Sequence, residues 1–197
     1  MPDRKTIYDG LSCAAWGYFF LYFNINLGNV SILPSFVGYL LLLSAIGSLQ
    51  AVRRELALLR TPGRLLALYK VAEWALSWVG TQLPGHVPFL DLVENVLVIY
   101  FHFQLLTDLA ALAQAFQPEG ETFDHRLLRR RTQSVLLATA VTLLYGQALS
   151  LPERWLEWLL MVLALAYCIV ALAIMLALFE LRRCIPQDPE IQPPAEA

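Results

Sequence analysis

The chain has 197 residues, 58% hydrophobic and only 15% charged, with a net charge of −2 and a mean hydropathy of +0.56. A water-soluble domain carries about a quarter charged residues, so this chain has too little polar surface to coat a soluble particle of its size. Without a basic excess there is no match for a phosphate backbone, and no nucleic-acid partner is expected. Three scattered cysteines, Cys13, Cys168 and Cys184, argue against a disulfide framework or a zinc site.

Six predominantly apolar runs, 10–25, 33–51, 65–82, 88–110, 133–150 and 155–181, approach the roughly 20 residues needed to cross a hydrocarbon core. Lipid offers the backbone no hydrogen-bond partner, so each run is expected to be helical. Runs such as "WLLMVLALAYCIVALAIMLALFEL" do not alternate in polarity, which argues against a β-barrel. The expected fold is all-α: a polytopic transmembrane helix bundle over 1–183, its six spans arranged as three helical hairpins. The proline-rich, acidic stretch 184–197 reads as a disordered tail. The first run has a basic start, but "NINLG" after it lacks a small-x-small cleavage site, and it is read as a true span.

Basic residues set the expected threading. Arg4 and Lys5 precede the first run; Arg53, Arg54, Arg60 and Arg64 lie between the second and third; Arg126, Arg129, Arg130 and Arg131 lie between the fourth and fifth. Arg182 and Arg183 follow the sixth, and only Arg154 sits in a connection on the other side. By the positive-inside rule both termini and the basic connections are cytoplasmic, in a multi-pass protein of the cell membrane. The first external turn then carries Asn24, Asn26, Gly28, Pro34 and Gly38. Gly28 can take a positive φ there, asparagine tolerates left-handed backbone, and Pro34 suits a helix start, where its missing N–H would be unbonded anyway.

The stretch "NINLGNVSILPSFVGYLLLLSAIGSL", residues 24–49, resembles the N-terminal signature of a family of small multi-spanning membrane proteins found mostly in Firmicutes. In that family an Asn-Ile-x-Leu/Ile-Gly turn leads into Leu-Pro-Asp-Phe-Ile-Gly-Tyr and an apolar helix. Here Ser35 stands where the family has an acid and Val37 where it has isoleucine, and the missing acid argues against cation binding by the motif in this chain. "VIYFHFQLLTDLAALA", residues 98–113, is a looser echo. The resemblance implies a bacterial inner-membrane protein and brings no activity with it.

Ionisable side chains inside a span cost several kcal/mol unless paired or hydrated, so each is a functional candidate. The third run holds Lys70 and Glu73; the fourth holds Asp91, Glu94, His102 and Asp108. Folding the third and fourth runs back about Pro84-Gly85 puts Lys70 level with 99–102 and groups Lys70, Glu73, Glu94, Asn95 and His102 as a midplane polar site. The plainer account of that group is an interhelical salt bridge that fixes register. Asp108 is read as an anchor pairing with the basic flank, for example Arg64. A second group, His86, Asp91, Glu153 and Glu157, would form an outer acidic vestibule that concentrates cations. For Asp91, Glu153 and Glu157 the helix dipole alone is a sufficient explanation.

Ser44 with Ser48 and Ala173 with Ala177 have the small-xxx-small spacing of close helix contacts. Trp74, Trp78, Trp155 and Trp158 mark an aromatic belt. "WGYFFLYF", residues 16–23, reads as packing and lipid contact. No phosphate-binding glycine loop, G-x-S-x-G or H-E-x-x-H occurs, and neither cofactor nor metal is expected. Two functions fit: a transporter of a small solute or of ions or protons, or a non-catalytic membrane scaffold or subunit. Its partners would be the lipid bilayer and, in the second case, a membrane protein or further copies of itself.

Overall fold

The computed structural model describes residues 4–23, 26–27, 30–31, 34–78, 88–118, 120–145 and 153–185. Through them run six α-helices: α1 (Arg4–Tyr22), α2 (Ser35–Leu49), α3 (Arg60–Ser77), α4 (Pro88–Phe116), α5 (Phe123–Tyr145) and α6 (Glu153–Arg183). A 3-10 turn, Arg54–Leu59, precedes α3. The extended structure among the described residues is a two-residue antiparallel ladder, β1 (Asn26–Leu27) with β2 (Val30–Ser31), which pairs Asn26 with Ser31 and Leu27 with Val30. The polar stretch after α1 is therefore a small hairpin, of which Asn24 and Gly28 lie outside the described residues. Pro34 is extended, at φ −71 and ψ 134, immediately before the first helical residue. Gly38, grouped with that turn in the sequence, is instead a buried residue of α2.

Two helices are long and apolar enough to cross a membrane: Phe89–Phe116 in α4, with mean hydropathy 1.7, and Arg154–Arg183 in α6, with mean hydropathy 2.9. Over its most apolar 18 residues only 17% of α6 is buried, whereas the central helix of a soluble protein is mostly buried. At 15 residues α2 is apolar but only about 22 Å long. The first turns of α5 carry Arg126, Arg129, Arg130 and Arg131, so its apolar part is only the later portion.

The helices form a ring. α2 packs against α1 and α3, α1 against α6, α6 against α5 and α5 against α4; α4 meets α3 again to close the circuit. The tightest contact joins α1 and α2, and glycine makes it possible. A Cβ on Gly17 would stand 2.8 Å from the Leu42 side chain, and one on Gly38 would stand 2.8 Å from the Gly17 carbonyl oxygen. Of the serine pair, Ser44 is exposed, but Ser48 stands in the close contact: a Cβ on Gly10 of α1 would lie 3.1 Å from its Cβ, while its hydroxyl donates to the Ser44 carbonyl at 3.3 Å.

Burial is uneven along the ring axis. At the basic end Leu11, Leu42, Ile46, Leu49, Leu56, Leu105, Leu109, Leu178 and Leu181 close the interior. At the other end no described side chain of α4 before Phe101 or of α6 before Val170 is buried, nor any of α3 after Ala67. Packing thus plugs one half of the ring and leaves the other half around a lumen. The outside is apolar: Leu68, Val96, Leu136, Trp158, Val162 and Leu165 are all exposed. A continuous apolar skin of this kind is the surface expected against lipid.

Polar contacts gather at the basic end. Buried Asp108 pairs with Arg53 at 3.5 Å and accepts from the Gln104 amide at 3.1 Å. Arg64, the partner suggested by sequence, is exposed on α3, because the 3-10 turn packs on α4 and brings Arg53 there instead. Arg131 donates to Thr107 at 2.9 Å and lies 4.4 Å from the centre of the Phe103 ring. Arg182 donates to Ser12 at 3.1 Å. Beyond α6, Ile185 is buried in the same core with Cys184 packed against it, and residues 186–197 of the acidic tail lie outside the described residues.

Asp124 stands in the first turn of α5. The backbone N–H of His125 holds its carboxyl below the usual carboxylate range. A depressed folded value means that the stabilisation is present above the unfolded value of about 3.9 and is lost as pH falls through the folded value. Asp124→Asn should therefore lower the melting midpoint near neutral pH. The gap to the parent should close on acidification below about pH 4, as read by thermal melts in detergent across a pH series.

Candidate functional site

Where the outer halves of the helices separate, a cavity of about 240 Å³ opens inside the ring. Leu21 and Tyr22 of α1, Ser35 and Tyr39 of α2, Lys70 of α3, Glu94, Asn95, Val98 and His102 of α4 and Tyr167 of α6 line it. At about 30 Å³ per molecule, the space suits several waters or one small solute.

Charge enters this cavity from the α3–α4 contact. The Lys70 ammonium lies 2.6 Å from the Glu94 carboxylate and 2.8 Å from that of Glu73, one turn further along α3. The Lys70 and Glu94 side chains keep 21% and 16% of their surface accessible, so the pair borders the cavity and is not sealed away from it. Glu73 flanks the pair without lining the cavity. One ammonium between two carboxylates leaves the group one negative charge in excess.

The register differs from the sequence expectation, which set Lys70 level with 99–102. Lys70 meets Glu94 because α3 ends at Ser77, five residues before the end of the apolar run, and α4 starts at Pro88. Those residues would have added about 7 Å of helical rise to α3. The two charges therefore lie nearly equally far from the facing ends of the helices, Lys70 seven residues before Ser77 and Glu94 six after Pro88.

The floor of the cavity is aromatic. His102 is buried, and its Nδ1 shares a hydrogen bond of 3.2 Å with the Tyr18 hydroxyl, the tautomer deciding which donates. Ring centres of Tyr18, Tyr22, Tyr39 and Phe101 lie 5.5 to 6.3 Å from that of His102. The Tyr22 hydroxyl donates to that of Tyr167 at 3.2 Å and ties α1 to α6. The sequence places His102 here and reads the aromatic run of α1 as packing and lipid contact, without singling out which of its side chains face this cavity. Tyr18 and Tyr22 stand four residues apart on the stripe that also carries Leu11 and Ala14, a periodicity that marks the inner face of the helix. Trp16, two residues before Tyr18, does face outward; its ring meets Phe19 at 5.6 Å and Phe179 of α6 at 5.8 Å.

Tyr18→Phe deletes one partner of a buried histidine nitrogen without changing the ring. Leaving such a group without its hydrogen bond costs about 1–2 kcal/mol. Thermal melts of the detergent-solubilised variant should show a midpoint lower by a few degrees with the helical signal intact.

Beyond the wall formed by Asn95, Val98 and Tyr167 lies a second cavity of about 330 Å³ between α4, α5 and α6. Its remaining lining is Ile99, Ala138, Val141, Thr142, Ala164 and Cys168, mostly apolar. The three wall residues belong to both spaces, so the lumen has a charged chamber on the α1–α3 side and an apolar chamber on the α5 side.

The acidic vestibule fares differently. His86 lies outside the described residues, and Glu153 opens α6 with a side chain that is not described. Asp91 occupies the first turn of α4, and exposed Glu157 stands on α6, with α5 between the two helices in the ring. Among the described residues no group of histidine, cysteine, aspartate or glutamate could hold a metal ion. Comparison of the chain with family models, curated proteins and solved structures finds no match.

Proposed function

We propose that the chain is a six-span protein of a bacterial cytoplasmic membrane, with its basic end in the cytoplasm, and that its charged chamber carries a proton or small cation. The membrane reading draws on the apolar outer skin, the two helices long enough to cross, and the gathering of arginines at one end of the ring. The signature at residues 24–49 supports the bacterial assignment by resemblance.

One observation carries the transport reading: the Lys70–Glu94 pair borders a cavity of about 240 Å³, room enough for several waters, with His102 at its floor and a packed plug beneath. Charges kept at membrane depth beside water mark ion and proton routes more often than they serve packing alone. The excess acid favours a positive passenger over an anion, and the volume favours a small one. No described helix is broken at its centre, so the route would follow the lumen and not an unwound segment. The plug makes the arrangement outward-open, and passage requires the basic ends of α1, α2, α4 and α6 to separate.

The test is proton uptake into vesicles holding the purified chain and a trapped pH-sensitive dye, driven by a potassium diffusion potential. Acidification faster than in protein-free vesicles supports a proton route; a rate equal to theirs overturns it. A second reading, a scaffold or subunit acting through helix packing, is favoured by α6, whose outer half has no buried side chain to match its apolar surface. It predicts vesicles no more permeable than empty ones.

A further inference from the structure

At the basic end, far from the charged chamber, α5 and α6 diverge around a cavity of about 250 Å³. Its mouth carries Arg126, Arg129 and Arg130 of α5 and Glu180 of α6, and its floor is Ala173, Leu176 and Ala177. Arg126 is engaged by Glu180 at 3.1 Å and by Glu121 at 3.7 Å, and Arg130 donates to the Gln133 amide oxygen at 2.8 Å. Arg129 has no ion-pair partner among the described residues. Positive charge thus exceeds negative at the mouth. From Glu180 to Ala173 the floor descends along α6 by about 10 Å, seven residues at 1.5 Å each.

We propose that this cavity binds one anionic phospholipid of the cytoplasmic leaflet, its phosphate at Arg129 and Arg130 and the first carbons of a chain over Ala173 and Leu176. The inference rests on the membrane placement argued above and is independent of the proton route. Guanidinium groups match phosphate oxygens with paired N–H donors, and a basic pocket between spanning helices on the cytoplasmic side is where such headgroups settle. The apolar floor selects the ligand class. A free phosphate or an acidic peptide would satisfy the arginines and leave Ala173, Leu176 and Ala177 uncovered. Ala173 and Ala177, spaced as in a close helix contact, serve here to hollow the α6 face.

Native mass spectrometry of the full chain, released from membranes containing phosphatidylglycerol and phosphatidylcholine, tests the site. The parent should retain one phosphatidylglycerol in preference to phosphatidylcholine. Arg129→Gln with Arg130→Gln should weaken retention about twenty-five-fold, at roughly fivefold for each arginine near an anionic surface. Ala173→Leu, which fills the floor without altering charge, should lower retention too, and thermal melts confirm that each variant is folded. Equal retention of the two lipids, undiminished retention in the arginine variant, or displacement by millimolar inorganic phosphate would each overturn the proposal. Retention unaffected by Ala173→Leu would reduce the arginines to a general attraction for the leaflet and overturn it equally. Vesicles that show no proton uptake would leave this result untouched.

Discussion

Replacing Glu94 by glutamine is expected to return proton uptake to the rate of protein-free vesicles while leaving the protein folded. The substitution keeps shape and volume, and Lys70 retains Glu73 at 2.8 Å as its counter-charge. What disappears is the carboxylate that borders the cavity. Lys70→Ala should also abolish uptake, but with a different cost. It leaves Glu73 and Glu94 facing each other without the ammonium between them, and removing one member of a buried pair costs about 3–5 kcal/mol. Because these side chains retain 16% to 33% of their surface, solvent screens part of that loss and about 2 kcal/mol is the better expectation. Glu73→Gln, outside the lining, should have the smaller effect on uptake. A purely structural salt bridge predicts another pattern: Lys70→Ala melts early, Glu94→Gln melts almost normally, and neither changes the permeability of the vesicles. Uptake and melting measured on the same three variants therefore separate a pathway from a brace.

How much of this was legible in the sequence depended on whether the signal was local. Apolar runs punctuated by Pro34, Pro88 and the arginine clusters marked the apolar part of each of the six helices, because burial from water and the cost of moving charge into lipid act residue by residue, but not their polar starts: α5 begins at Phe123, ten residues before the run at 133, and α1 and α3 begin at Arg4 and Arg60. The Lys70, Glu94 and His102 grouping was legible for the same reason: unfavourable side chains stand out against apolar neighbours. Register was not. No capping residue announces the end of α3 at Ser77, and Trp78 just after it still has right-handed backbone. The Arg53–Asp108 pair was missed because a 3-10 turn, a tertiary choice with little sequence signature, delivers Arg53 to α4. Tyr18 and Tyr22 were hidden by company: with Trp16, Phe19, Phe20 and Phe23 around them, composition signalled grease, and only helical spacing separated the inward hydroxyls.

Gly38→Ala should be the most damaging alanine substitution among the described glycines, at about 3 kcal/mol, the upper range for overpacking a tight interior. The new Cβ would lie 2.6 Å from Leu21 Cγ, 2.8 Å from the Gly17 carbonyl oxygen and 2.9 Å from the Leu21 backbone nitrogen. A side chain could rotate away, but two of those three atoms are backbone, so relief requires α1 and α2 to move apart. That movement would unseat Tyr39 and Leu21, which line the charged chamber, and Leu42, which belongs to the plug beneath it. Gly17→Ala meets mainly Leu42 Cδ2 and Cγ at 2.8 Å, with the Gly38 carbonyl oxygen at 3.1 Å, and should cost less because Leu42 can adjust. Since both substitutions press on one helix contact, the double variant should destabilise by less than the sum of the two: once the helices have separated for one methyl group, the second finds room. Melting midpoints of the two single variants and the double variant in the same detergent give that coupling directly. Strict additivity would mean that the α1–α2 contact yields locally at each glycine instead of shifting as a unit, and would break the link drawn here between this contact and the shape of the chamber.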